Sequence, residues 1–165
     1  MGVPREGFDF SERRVYLRCQ AVVVREGRLL LVEQRDHQGP YWTLPGGGLH
    51  YGESLAECVR RETKEETGLE VEPLRLLSVV EQPPAPTFRW QVVGFLFESR
   101  ATGGQAAPGY DPELPPGSIC SVGWWAPADL GRLRVYPRAM LQVHLARWLE
   151  DGTPPPLYFR EQAGG

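Results

Sequence analysis

One helical window constrains this chain more than any other stretch, because its core-facing side carries charge. Residues 53–67 hold no glycine or proline, and Gly68 follows them, a pattern that predicts a helix with a glycine stop. With Glu62 set to zero at about 100° per residue, Leu55, Val59, Thr63 and Ala56 fall near ~20°, ~60°, ~100° and ~120°. That arc is the only one able to face a core. Glu66 falls inside it at about 40°, Glu62 lies on its edge, and Glu65 is about 60° outside. A plain amphipathic helix would put its acids on the opposite side. Glu62 and Glu66 are also an i,i+4 like-charge pair, whose repulsion grows on burial unless a proton or cation intervenes. Three carboxylates within one turn are oxygen ligands suited to a hard divalent cation, Mg²⁺ or Mn²⁺. The competing reading is a solvated acidic helix, and the phase of the acids argues against it.

A second stripe, Glu53, Glu57, Arg61 and Glu65, repeats every four residues. Arg61 is placed to bridge carboxylates one turn away on either side and to fix Glu65 in one rotamer, although surface ion pairing alone would look the same. Immediately upstream, "LPGGG" ends in Gly46, Gly47 and Gly48. Glycines there permit close backbone approach, so that main-chain groups can meet a phosphate or a metal. A flexible turn is the alternative for the glycines taken alone.

The rest of the chain supplies strands. "LRCQAVVVREGRLLLVEQ" predicts a hairpin around "REGR", "YWTLP" a short strand, and "LEVEPLRLLSVVEQ", "FRWQVVGFLFES" and "ICSVGWWAP" further strands. "ADL" reads as a helical turn and "YPRAMLQVHLARWLED" as an amphipathic helix with Pro137 near its start. Residues 100–118 form a long Gly/Pro segment, and so long a loop inside a domain is functional or disordered. Strands outnumber the two clear helices, giving one mixed α/β sheet domain across residues 1–165, with an irregular tail at 151–165.

A length of 165 residues suits one domain, and a net charge of −3 supplies no basic field for nucleic acid or an anionic membrane. Three scattered cysteines, Cys19, Cys58 and Cys120, suit buried thiols in a reducing compartment rather than a disulfide frame. No apolar signal core or spanning run is present, so a cytoplasmic protein is the expectation. Neither a membrane nor a nucleic-acid polymer is expected as partner, and the oligomeric state is left open, a homodimer included.

Gly47, Glu53, Arg61, Glu62, Glu65, Glu66, Gly68 and Leu69 match the Nudix box, G-x5-E-x7-R-E-U-x-E-E-x-G-U with U aliphatic. Thr63 is the one departure, a β-branched residue where an aliphatic one is usual. "WTLPGG" and "VGWWAPADL" also resemble the family, and the likeness covers most of residues 15–150. It implies the Nudix fold, a mixed β-sheet sandwiched between α-helices, and metal-dependent hydrolysis of a nucleoside diphosphate linked to another moiety. By the same resemblance Glu62, Glu65, Glu66 and the Gly46 carbonyl are metal ligands, Arg61 orients a glutamate, and Glu53 is a supporting acid. Gly47 and Gly48 border the expected phosphate, and His50, in the loop between them and Glu53, lies near it, with an ordinary loop polar residue the competing reading.

The general base is open between Asp111 and Glu113 in the long loop, with Glu113 the nearer choice, and direct activation of water by Glu65 or Glu66. Arg35, Arg89 and Arg100 are candidates for terminal phosphates, with surface arginines the competing reading. Phe88, Trp90, Tyr110 and Trp125 are candidates for stacking on a base, while sheet core accounts for them equally. Pro84 resembles a placement associated with ADP-ribose-hydrolysing members. A non-catalytic Nudix module that senses a nucleotide is the alternative function, and an RNA-end hydrolase is a variant of the first that the acidic balance disfavours.

Overall fold

The computed structural model describes residues 15–84 and 90–162. Strand β1 (Val15–Arg25) turns through Glu26 and Gly27 into β2 (Arg28–Asp36), pairing Val24 with Leu29 and Arg25 with Arg28. Both turn residues have positive φ, 50° and 69°, the geometry of a two-residue hairpin turn that matches strand twist. The expected hairpin is therefore present, but the two strands soon part. β2 continues against β3 (Gly39–Thr43) and β7 (Ser121–Trp125), while β1 pairs with β4 (Gly46–Gly48) and, in parallel, with β6 (Gln91–Gly104). β5 (Leu69–Gln82) lies antiparallel to β6.

Helix α1 (Leu55–Thr67) packs on one side through Val59, Cys58 and Leu55 against Cys19, Ala21, Val23, Leu30, Leu69 and Val71. The other side of the sheet is covered by α2 (Pro127–Leu130), a π-helical turn Met140–Leu145 and α3 (Ala146–Asp151), which bury Leu130, Met140, Leu141 and Leu145 against Val22, Leu29, Leu31 and Leu96. The mixed sheet is thus sandwiched between helices, as expected.

Several local features differ from expectation. The C-terminal helix contains a π-helical turn over Met140–Leu145, which apolar spacing alone does not distinguish from an α-helix. Three further short strands appear. One is β4 at the glycines, a second is β8 (Val135–Tyr136) beside β3; the third, β9 (Tyr158–Arg160), lies parallel to β5, so the tail expected to be irregular is anchored by sheet pairing. β6 runs on to Gly104, past the Arg100 boundary drawn from composition. Cys19 and Cys58 are buried, but Cys120 is exposed. Phe88 and Arg89 lie outside the described residues.

Candidate metal centre

α1 begins one residue after Ser54, whose hydroxyl accepts from the Glu57 amide (3.2 Å) while the Glu57 carboxylate accepts from the Ser54 amide (2.8 Å), a reciprocal capping box. This cap corrects two expectations. Glu53 precedes the helix, and Glu57 closes the cap instead of bridging to Arg61. Gly68, in the left-handed conformation, ends the helix as predicted, donating to the Lys64 carbonyl.

The phase of the helix turns one face inward. Cys58, Val59, Glu62, Thr63, Glu66 and Thr67 are buried, and both Glu62 and Glu66 have no exposed surface. The two carboxylates therefore face the protein body, under the β4 glycines. A Cβ at Gly47 would lie 2.4–2.5 Å from the Glu62 carboxylate, so only glycine allows the strand this close. Glu66 is held by the Gly46 amide (2.8 Å to Oε2) and by Gln34 Nε2 (3.1 Å to Oε1). Gln34 is in turn oriented by the Tyr41 hydroxyl, which donates to its Oε1 at 2.6 Å.

The third carboxylate comes from the long Gly/Pro segment. That segment is laid along the C-terminal half of α1 by hydrogen bonds from Ala107, Gly109 and Tyr110 amides to the Thr67, Glu66 and Glu65 carbonyls (2.9–3.0 Å). Gly109 makes this contact possible, since a Cβ there would sit 1.9 Å from the Glu65 oxygen. The strap brings Asp111, 7% exposed, to Glu62 and Glu66; one carboxylate oxygen from each of the three lies within 4.8 Å of the others.

Glu65 differs from its expected place in this trio. It is partly exposed, and its Oε2 accepts from Arg61 Nη1 (3.2 Å), the same nitrogen that donates to Glu62 Oε1 (2.7 Å). It thus borders the cluster through Arg61. Arg61 also grips Glu53 with Nε (2.8 Å) and Nη2 (3.0 Å), and Nη2 reaches the Gly48 carbonyl (2.9 Å). Glu53 further accepts from the His50 amide (3.1 Å). Arg61 locks the loop, the helix and three carboxylates together.

Glu113 stands beside the cluster. It contacts His50 Nε2 and accepts from the Tyr16 hydroxyl (3.5 Å), while its amide donates to Asp111 Oδ1 (2.7 Å). Two residues that carry no sequence signal adjoin the site: Arg18, whose Nη2 donates to the Gly46 carbonyl, and Gln34. Arg35, by contrast, is exposed on the strand side opposite Gln34 and touches none of the acids, and Arg100 is exposed on β6. Trp125 packs edge-on against Trp42 (centroids 4.8 Å) in the sheet rather than facing the cluster, Tyr110 is exposed, and Trp90 stacks on Tyr16 at 6.1 Å.

Burial governs the charge states. Desolvation pushes the Glu62 carboxyl up to about 7 against the opposing pull of Arg61. It pushes Glu66 up to about 8, opposed by Arg18 and the Gly46 amide. Glu53 goes the other way, held down at about 2 by its hydrogen bonds to Arg61. Tyr16 is raised to about 12 by burial and then by Glu113. Glu62 Oε2 is buried with no hydrogen-bond partner. An orphaned carboxylate oxygen, in an all-oxygen set of three acids whose two glutamates are pushed up by burial, fits a hard divalent cation.

Fold and site together define a sheet-and-helix domain built around an acidic, oxygen-only cation site under a glycine backbone platform. The family model described as the NUDIX domain matches residues 15–149, and the chain belongs to the Nudix family. It is 38% identical over 105 residues to the human 8-oxo-dGDP phosphatase NUDT18, a match covering 62% of this chain and 30% of that protein. It is 31% identical over 110 residues to an ADP-ribose pyrophosphatase of Methanocaldococcus jannaschii, covering 62% of this chain and 63% of the relative. The chain therefore spans less than two thirds of either relative. The crystal structure of an ADP-ribose pyrophosphatase from Streptococcus suis superposes with a TM-score of 0.59 at 27% identity, covering 88% of this chain and 97% of that one.

Proposed function

We propose that this protein is a divalent-cation-dependent hydrolase that splits the phosphoanhydride bond of a nucleoside diphosphate joined to a second moiety. The observation carrying this reading is the buried trio Glu62, Glu66 and Asp111, together with a Glu62 oxygen that has no hydrogen-bond partner. Those three would hold Mg²⁺ or Mn²⁺, with Glu65 at the border as a further ligand. A cation there supplies charge neutralisation at the phosphoanhydride and a more acidic water.

The chain's own groups do the rest. The β4 backbone, bare of side chains at Gly47 and Gly48, lets a phosphate approach the acids. Arg61 fixes the rotamers of Glu53, Glu62 and Glu65 through four carboxylate contacts. Glu113 is the general base of this reading: its partial exposure and its contact with His50 suit a group that takes a proton from an attacking water and passes it on. His50, beside it, lies where the phosphate enters.

Two names among the relatives, ADP-ribose pyrophosphatase and 8-oxo-dGDP phosphatase, share a nucleoside diphosphate as common chemistry. Phosphate release from ADP-ribose, oxidised and ordinary nucleoside di- and triphosphates, dinucleoside polyphosphates and nucleotide sugars, each with Mg²⁺, Mn²⁺ or EDTA, tests the proposal. Turnover of one class only with metal, lost in Glu66→Gln with the fold intact, is expected. No turnover of any of them, or turnover that survives EDTA, would overturn it.

A further inference from the structure

The acidic site must admit a polyanion, and Arg61, the arginine of the box, has nothing left to offer it. An arginine has five N–H donors. Arg61 Nε is engaged by Glu53, Nη1 by Glu62 and Glu65, and Nη2 by Glu53 and the Gly48 carbonyl. Its charge is likewise held by carboxylates.

Arg18 is placed differently. Its Cα lies directly opposite Gly48 in the β1–β4 ladder, so the strand register carries its side chain to the glycine platform. The side chain is half-buried, and its one hydrogen bond among the described residues runs from Nη2 to the Gly46 carbonyl. Nε and Nη1 remain as donors. Among the described residues Arg18 forms no ion pair within 4.0 Å, yet its charge acts on Glu66, Tyr16 and Tyr41. Among the described residues, the other arginines without a carboxylate partner, Arg25, Arg28, Arg35, Arg100, Arg132 and Arg138, are all exposed. A half-buried guanidinium, aimed at the backbone platform and not neutralised by a paired acid, is the group a phosphate would recruit.

We infer that Arg18 is the phosphate-binding residue of this site, meeting the phosphoanhydride at the Gly46–Gly48 platform. The assignment rests on the phosphoanhydride reading above and takes the place given to Arg35 from sequence. It has a consequence that a supporting role lacks. Arg18 and a cation at Glu62 and Glu66 are like charges approaching the same Gly46 carbonyl and the same carboxylate, so they oppose each other. Removing the guanidinium should therefore weaken phosphate binding while leaving cation binding equal or tighter.

The test uses equilibrium binding, with Arg18→Gln and Arg18→Lys beside the unaltered protein and thermal melts to confirm folding. Mn²⁺ is titrated alone, then inorganic pyrophosphate at saturating Mn²⁺. Arg18→Gln should lose roughly tenfold or more in pyrophosphate affinity, the loss expected for a charge-assisted contact, with no loss for Mn²⁺, and Arg18→Lys should recover part of it. Unchanged pyrophosphate affinity, a parallel loss of both ligands, or no pyrophosphate binding by the unaltered protein would each overturn the assignment. Because the titrations do not depend on turnover, a silent hydrolysis panel would overturn the proposed function while they still decide the role of Arg18.

Discussion

Replacing Glu62 by glutamine should make the protein more stable and remove its response to metal, an unusual pairing that stems from burial. The Glu62 carboxyl stands at about 7 in the folded protein against 4.5 for an ordinary glutamate. A raised acid holds its proton more tightly when folded, so its contribution to stability is complete below about 4.5 and is lost as pH rises through about 7. At about 1.4 kcal/mol per pKa unit, the ionised side chain costs the cation-free protein about 3 kcal/mol above that pH. Glu53, held at about 2, is ionised throughout this range and adds no slope. Glutamine keeps an acceptor for Arg61 Nη1, and its amide can donate toward Asp111, within the 4.8 Å span of the cluster. In EDTA at pH 8.5 the variant should melt roughly 6–10 °C above the original, while at pH 5 the two should nearly coincide. Mg²⁺ should raise the melting temperature of the original and leave the variant unmoved. Scanning calorimetry at the two pH values, with and without metal, measures all of this. A variant that melts at or below the original in EDTA at pH 8.5 would refute the claim that Glu62 is a buried charge awaiting a cation.

Neighbouring contacts give three further expected outcomes. Gln34→Leu removes the donor that holds Glu66 Oε1 and should weaken Mn²⁺ binding by about tenfold to a hundredfold, measured by titration. Gly109→Ala forces a Cβ to within 1.9 Å of the Glu65 carbonyl; the strap must lift, and metal affinity in the same titration should fall although no ligand has changed. If Glu113 is the general base proposed above, Glu113→Gln should lower kcat by about a hundredfold or more while Mn²⁺ affinity stays nearly constant.

The parts of this site that are legible in the sequence are those fixed by local periodicity. At 3.6 residues per turn, the burial of Glu62 and Glu66 is set by where Val59 and Thr63 must point, and the Gly68 stop comes from the same count. The S-x-x-E spacing of Ser54 and Glu57 is passed over when residues 53–67 are read as one helix, and the cap it forms shows why Glu57 is unavailable to Arg61. Asp111 is visible only as an acid in a long loop. Its arrival depends on amides of residues 107–110 meeting the carbonyls at the end of α1, a tertiary match without a local signature. Gln34, Tyr41 and Arg18 sit on strands, where alternation tells which residues share a face but not which face meets the helix. That ambiguity makes Arg35 a candidate from sequence, while its neighbour Gln34 is the residue bonded to Glu66 and the distant Arg18 the one bonded to the Gly46 carbonyl.

The central claim, that Glu62, Glu66 and Asp111 form one cation site, is tested most directly by counting bound Mn²⁺ through the loss of its free-ion electron paramagnetic resonance signal. Asp111 is the decisive ligand, since the box motif does not contain it. The unaltered protein should bind Mn²⁺ at this site, and Asp111→Asn should weaken that binding by at least about tenfold with the melting curve otherwise preserved. Equal Mn²⁺ affinity in the two proteins would contradict the account and return the site to the carboxylates of the helix alone.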